Sequence, residues 1–471
     1  MQRSFIIIPI IRYFNKSGII LGFKYSRMKN EKKRYVQVGL GGRSRMYTQA
    51  VLGKMAGVSE LVGICDNNCG RLHLTNRWIK DELKTKAVPE YLDTEFDRMI
   101  REQRPDVVIV TTKDCFHDKY IVRALELGCD VITEKPMTID EKKCQRIVDA
   151  VKRTGRKVSV TFNYRYSPPR TQVKALLTSG VIGRILSVDF QWLLDTRHGA
   201  DYFRRWHREK KNSGGLMVHK ATHHFDLVNW WLSANPVEVF AMGARSFYGA
   251  NSGMVKKYKL NAHADRCLQC RYKRKCKFAL DLAGTKDLKE LYLDNEKYDG
   301  YFRDRCVFGK TMDIEDTMNV VVRYDTGAFM SYSLNAFMPW EGYKIAFNGT
   351  KGRLEHDCVE TVYVSGDGSV PGATIPTGTK IRLYPQFKPA KDIPVRVGKG
   401  GHGGGDDPLL VDVFSPHLSR DPCLRAADYT SGAMSILVGI AANKSMRTGK
   451  PVKINSLVHG VPSPRLTAMK E

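Results

Sequence analysis

The sequence predicts an α/β fold in two parts. Strands and helices alternate up to about residue 162, and a series of consecutive short strands follows. The second part reads as an α/β domain on a large, mainly antiparallel open sheet. The alternation is carried by apolar runs of strand length, such as Pro105 to Thr111 (PDVVIVT), and by helical patterns ending on glycines such as Gly128. The later strands are MNVVVRY, GAFMSYSLNAF, YKIAFNG, GRLEH and VETVYVS, with the turn GTKG between two of them.

A chain of 471 residues exceeds one core, so two or three domains are expected. A hydrophobic share of 42% and six Trp indicate a folded protein. The net charge is 76 − 49 = +27, but Lys and Arg are scattered along the whole length. With no repeat and no base-reading motif, no specific nucleic-acid partner is expected; a solvated basic surface or an acidic substrate such as a uronic-acid sugar accounts for the charge. No run of 18 apolar residues exists, so no membrane span is expected. Residues 1–33 read as an N-terminal extension, since FIIIPII is short, broken by Pro9 and followed by no small-residue cleavage site; a weak export signal is the alternative. Eleven Cys, most of them inside predicted helices and strands, point to a reducing, cytoplasmic compartment.

The first part, 34–162, opens with the strand Tyr35 to Val38 and the turn Gly39-x-Gly41-x-x-Ser44. A helix follows to about Gly57, and the strand ELVGICD ends on Asp66. Gly39 permits the tight turn, and Gly41 lets the backbone approach a pyrophosphate. The helix N-terminus offers free N–H groups to that anion, and Asp66 is placed for a ribose 2′-hydroxyl. This is the fingerprint of a Rossmann dinucleotide-binding domain, and an acid at Asp66 favours NAD over NADP. Gly42, Arg43, Arg45, Asn67 and Arg71 flank the same site.

The strands Val88 to Tyr91, Pro105 to Thr111, CDVITEKP and Lys157 to Phe162 continue the parallel sheet, with helices Asp93 to Gln103, His117 to Leu127 and Asp140 to Thr154 between them. Carboxyl ends of parallel strands face the ligand crevice, which collects Thr111, Thr112, His117, Glu134 and Lys135.

Ser213 to Leu232 (SGGLMVHKATHHFDLVNWWL) reads as a helix that packs His219, Lys220, His223, His224 and Asp226 into two turns. Such a cluster suits proton transfer or ligand binding, because His titrates near neutrality and a desolvated Lys loses basicity. His219 and His223, at i and i+4, also have a spacing that a divalent metal accepts. Before it, the strand ILSVDFQWLL and the aromatic–basic loop ADYFRRWHREKKN place Trp206 to stack on a sugar, and Arg205, His207 or Arg208 to bind its hydroxyls or a carboxylate. The Gly-rich GKGGHGGGDD reads as a mobile active-site loop bringing His402 toward substrate.

Together GLGGRSR, TEKPM, NYRYSP (Asn163 to Pro168) and SGG…H…HxxD resemble the glucose–fructose oxidoreductase / inositol dehydrogenase / MocA family, as do GTKGRLE and the closing AANKSMRTGKPVKI. The resemblance implies a tightly held NAD(P), and a carbohydrate or polyol lying between cofactor and sheet. It implies a catalytic Lys in EKP, here Lys135, and a catalytic His three residues before an Asp, here His223. By position in the chain, Asn163, Tyr164 and Arg165 are expected at the domain junction, with Tyr164, Trp206, His207, His224 and His402 toward substrate. In the family pattern an Asp stands four residues before the catalytic His. Here that position is His219, followed by Lys220, so either residue can share the proton relay.

The expected function is NAD-dependent hydride transfer between a sugar, glycoside or polyol secondary hydroxyl and nicotinamide C4. A glycoside hydrolase using transient oxidation is the alternative, and a non-catalytic NAD-sensing protein a third. The expected layout is 1–33 extension, 34–162 Rossmann domain, 163–455 substrate domain and 456–471 tail, with homo-oligomers formed through the second domain. An insertion at 249–312 carries Cys267, Cys270, Cys276 and Cys306. Four thiols that begin with CxxC suit structural zinc; an iron–sulfur cluster, disulfides or free thiols use the same residues.

Overall fold

The computed structural model describes residues 32–257, 264–360, 378–398, 401–415 and 421–470. The expectations for the N-terminal extension, for the Gly/Pro/Thr-rich stretch after 365 and for most of VETVYVS fall outside these residues; its first two residues end a longer strand.

Six parallel strands form the first sheet. They are β1 (Lys33–Val38), β2 (Ser59–Asp66), β3 (Glu90–Leu92), β4 (Val107–Val110), β5 (Asp130–Thr133) and β6 (Val158–Val160), in the order β3-β2-β1-β4-β5-β6. β1 is buried on both faces, as a central parallel strand must be. Its one polar core residue, Gln37, is fully satisfied: it donates to the Ser44 carbonyl (3.0 Å) and to Thr111 Oγ1 (3.2 Å), and accepts from Thr48 Oγ1 (2.7 Å). Those bonds tie β1 to β4 and to the helix Ser44–Leu52 beside the glycine turn. Asp140 caps the helix Glu141–Thr154 by accepting from the Lys143 amide, and Gly155 closes it at φ 65°.

The second sheet has nine strands: β7 (Ile185–Asp195), β8 (Pro236–Ala244), β9 (Thr317–Tyr324), β10 (Phe329–Met338), β11 (Glu341–Gly349), β12 (Gly352–Glu360), β13 (Lys380–Pro385), β14 (Lys391–Ile393) and β15 (Val452–Lys453). Their order is β14-β13-β12-β11-β7-β10-β9-β8-β15, antiparallel throughout except for the parallel pair β7 and β10. Alternating burial along β9, β10 and β12 shows one face on the core and one open.

The helix Tyr429–Thr448 packs against β8 of this sheet and against the helix Thr222–Leu232. It holds the segment carrying the histidines in place. Gly439 allows the contact, because a Cβ there would stand 2.2 Å from the Met217 carbonyl. Asn443 donates to the Gly214 carbonyl (2.6 Å), and Ser435 to the Thr222 carbonyl (2.9 Å).

Two local expectations change. Ser213 to Leu232 is not one helix: Leu216–His219 and Thr222–Leu232 are separate, with the break at Lys220 and Ala221. The stretch expected as a loop before it is largely helical, with Thr196–Arg204, Trp206–Arg208 and Lys210–Ser213. Asp195 caps the first of these, accepting from the Arg197 and His198 amides.

Candidate active site

A cavity of about 860 Å³ is lined by the turns after β1, β2, β4 and β5, by the helices before β8 and by residues of β11 and β12. The glycine turn forms one wall. Gly39 has φ 88°, and a Cβ there would come within 2.6 Å of the Thr112 amide nitrogen, so the turn passes β4 only with glycine. Gly41 differs: nothing stands within 4 Å of a Cβ built on it. The helix Ser44–Leu52 begins with no side-chain cap and no acid in its first turn, which leaves its N–H groups for an outside anion. Thr111 Oγ1 donates to the Gly39 carbonyl (2.5 Å) and fixes the turn from β4. These features fit a dinucleotide, with open backbone at Gly41, an uncapped helix start and an acid ending β2.

Gly42, Arg43, Arg45, Asp66, Asn67 and Arg71 line this wall. Ser44 does not; it is buried and donates to the Gly41 carbonyl at 2.6 Å, pinning the turn from behind. Arg43 is held between Glu134 (2.7 Å) and Asp406 (3.1 Å). Burial works to raise the Glu134 carboxyl, but Arg43 and Lys135 overcome it and hold the group below its usual range. Asn163 lines the cavity and donates to Asp406 (2.6 Å). His117 also lines it, but both ring nitrogens are engaged, with the Pro136 carbonyl (2.8 Å) and the Thr112 carbonyl (3.1 Å), so it clamps the ends of β4 and β5.

Lys135 and the histidine segment converge on the opposite side. Lys135 Nζ donates to the His219 carbonyl at 3.3 Å. Burial pushes Lys135 down to about 8; Lys220 and Arg43 add to this, while Glu134 and Asp114 oppose it. His223 stacks on Tyr164 at 4.2 Å and 12°, with the His402 ring at 6.2 Å. Its Nδ1 is buried and has no protein partner. Burial, with Lys135 and Lys220 nearby, holds His223 well below the usual imidazole range, so its neutral, proton-accepting form prevails at neutral pH. Lys220 donates to Tyr164 Oη (3.2 Å) and stands 3.7 Å from Glu341.

The carboxylate absent before His223 in the sequence comes from elsewhere. His219 Nδ1 lies 2.5 Å from Asp114, which follows β4. Burial pushes the Asp114 carboxyl well above its usual range, against Lys135 and Arg205, and burial pushes His219 well below. Burial thus disfavours separated charges on this pair. Glu341 and Glu360 face each other across β11 and β12, an unfavourable like-charged pair offset by Lys220 and by an ion pair from Arg170 to Glu360. His207 stacks on Trp206 at 3.6 Å, and both line the cavity. His402 sits at φ 53° and bonds Asp406 (3.0 Å) at the cavity edge.

Several expected residues lie elsewhere. Arg165 forms a buried two-pronged ion pair with Asp226 (2.6 and 2.8 Å) and is absent from the lining, so Asp226 serves Arg165 and not His223. His224 turns into the core, stacked on Trp192 at 3.9 Å and bonded to Tyr332 Oη at 2.6 Å. Arg208 donates to the Thr311 carbonyl. Among the described residues no three His, Cys, Asp or Glu gather to hold a metal, neither at the histidines nor at Cys267, Cys270, Cys276 and Cys306; these four form no disulfide, and the first three bear electrostatically on Cys306. The insertion instead closes on a small cluster of Leu280, Leu282 and Leu288, packed by Cys267, and on the Arg266 ion pairs with Glu296 and Asp304.

Sequence reasoning missed Asp114, Glu341 and Glu360. Asp114 was findable, because it follows a parallel strand end, as Thr111 does. Glu341 and Glu360 carry no local signal.

The residues 33–162 match the model described as the oxidoreductase family, NAD-binding Rossmann fold, and 174–454 match its C-terminal alpha/beta domain. YteT of Bacillus subtilis, named an oxidoreductase, is 39% identical over 436 residues, 90% of this chain and 98% of that protein. The WlbA dehydrogenase from Bordetella pertussis, solved with NADH and UDP-GlcNAcA, superposes with a TM-score of 0.59 at 17% identity, covering 90% of this chain and 99% of its own. An aldose-aldose oxidoreductase from Caulobacter crescentus superposes at 0.58 and 17% identity, over 90% of this chain and 100% of its own.

Proposed function

The chain belongs to the glucose–fructose oxidoreductase / inositol dehydrogenase / MocA family, and from that premise we propose that this NAD(P)-dependent oxidoreductase oxidises a secondary hydroxyl of a sugar, glycoside or polyol with NAD. Lys135 and His223 are its polar catalysts. One observation carries the reading: His223, stacked on Tyr164 and held neutral by burial, lines the cavity that also holds Lys135 and the Gly39–Gly41 turn. When bound, the nicotinamide supplies the hydride acceptor at C4. Neutral His223 takes the hydroxyl proton, and the Lys135 ammonium holds the oxygen as negative charge grows on it. Trp206 offers an aromatic face to the sugar, whereas the Tyr164 ring is covered by His223 and Arg170 and backs the histidine. The Asp114–His219 pair and Lys220 hold the protons around that oxygen. Asp66 supports NAD over NADP, and a sugar-nucleotide ligand in the WlbA structure is in keeping with a carbohydrate substrate. Two or more copies associate through the open face of the nine-stranded sheet. No observation favours the hydrolytic alternative.

The test is turnover on a panel of sugars and polyols with NAD. Lys135→Ala and His223→Ala are each expected to lower kcat by about 10²-fold or more while NADH still binds. Full turnover in either variant removes that residue from the chemistry.

A further inference from the structure

The segment between β8 and β9 crosses back onto the dinucleotide-binding part. Its helices Lys286–Leu291 and Glu296–Asp299 lie against the start of the helix Cys69–Asp81. Asn68 Nδ2 donates to the Asn295 carbonyl at 2.9 Å. The approach there is so close that a Cβ on Gly70 would stand 1.8 Å from Asn295 Oδ1. Arg45 pairs with Asp287 at 3.2 Å, and Tyr292 reaches Gly42.

This docking delivers one carboxylate to a decisive place. Arg71 stands at the end of β2, where a guanidinium accepts the 2′-phosphate of NADP in proteins that use it. Here Nε and Nη2 are already engaged. Nε and Nη2 reach Asp66 at 3.3 and 3.2 Å, and Nη2 also forms an ion pair with Asp299. All three side chains are at least nine-tenths buried. Burial works to lower the Arg71 guanidinium, and Asp66 and Asp299 together overcome it. Two carboxylates on one cation leave the corner negative, and a 2′-phosphate entering it meets repulsion that solvent does not screen.

We propose that Asp299, supplied by the insertion and not by the dinucleotide-binding part, is the specificity-determining residue that closes this protein to NADP. The inference rests on the reading that the cavity holds a nicotinamide dinucleotide with its adenosine ribose beside Asp66. Asp66 alone balances the Arg71 charge; Asp299, sharing Nη2 with it, makes the corner net negative.

Fluorescence titration of the full-length protein with NADH and with NADPH tests it. Asp299→Asn keeps the side-chain shape and removes the charge. It is expected to tighten NADPH at least about tenfold while NADH affinity changes far less. Adding Arg71→Ala to it is expected to erase the gain, and a merely structural role for Asp299 does not produce that reversal. If Asp299→Asn does not fold, Asp299→Ser carries the same expectation. An unchanged NADH-to-NADPH ratio, or a gain that survives the loss of Arg71, overturns the proposal. A wild-type chain that binds neither dinucleotide overturns the reading beneath it, a result distinct from both.

Discussion

Lys135 shows burial setting the chemistry of a single group. Four charged neighbours bear on its ammonium: Glu134 and Asp114 hold it up, Lys220 and Arg43 push it down, and desolvation outweighs them to leave it at about 8. If it steadies a developing alkoxide, it must be charged, so its contribution is present below about 8 and lost as pH rises past it. His223, held well below the imidazole range, stays a competent base across the same interval. Initial-rate kcat/KM for oxidation is therefore expected to stay level from pH 6 to 7 and to fall above about 8. Lys135→Arg, which keeps its charge, is expected to move that fall upward beyond the alkaline range tested. A rise through 8 instead makes Lys135 the base and exchanges the two roles. Lys135 was legible because strand ends in parallel sheets face ligands. Asp114, by contrast, lies 105 positions from His219 and reaches it through a contact that no local pattern encodes.

At the scale of elements, the turn after β1 separates two uses of glycine. Gly39 is a backbone requirement, at φ 88° with β4 pressed against it. Gly41 is an open surface, with nothing near a built Cβ. Gly39→Ala is expected to destabilise the fold by on the order of 2 kcal/mol and to lower the melting midpoint. Gly41→Ala is expected to leave the midpoint unchanged and weaken NADH binding, because the added methyl occupies space meant for ligand. Equal midpoints for both variants sink the distinction. This turn was readable since its constraints are local. The histidine segment was less so: its residues fit one helix by period, yet the break at Lys220 sends His219 to Asp114, His223 to Tyr164, His224 to Tyr332 and leaves Asp226 to Arg165. The same limit applies to CxxC spacing, which described a possible ligand set but not how Arg266 and three leucines hold the insertion.

At the scale of the molecule, a charge of +27 argues against indiscriminate self-association, so an exposed apolar surface stands out. The open face of the nine-stranded sheet carries one. Phe240 on β8 lies directly opposite Val321 on β9, Met242 follows two residues along, and Phe329 opens β10 next to them. All four are exposed, Met242 to 68%. An antiparallel sheet facing water alternates polar residues outward, and adjacent strands that break this rule mark a surface that is covered. A second copy presenting the same face supplies apolar cover without bringing in a foreign partner, and a two-fold arrangement of this kind is self-complementary. Light scattering of the full-length protein is expected to give a mass of at least twice 53.4 kDa. Phe240→Glu combined with Val321→Glu is expected to reduce it to the single-chain value, since two like charges then oppose each other across the strand pair and again across the interface. The inner face, with Val239 and Val322 in the core, is untouched by these substitutions, so the midpoint of unfolding should fall only by the contribution of association itself. An oligomer that persists in the double variant places the interface elsewhere on the chain.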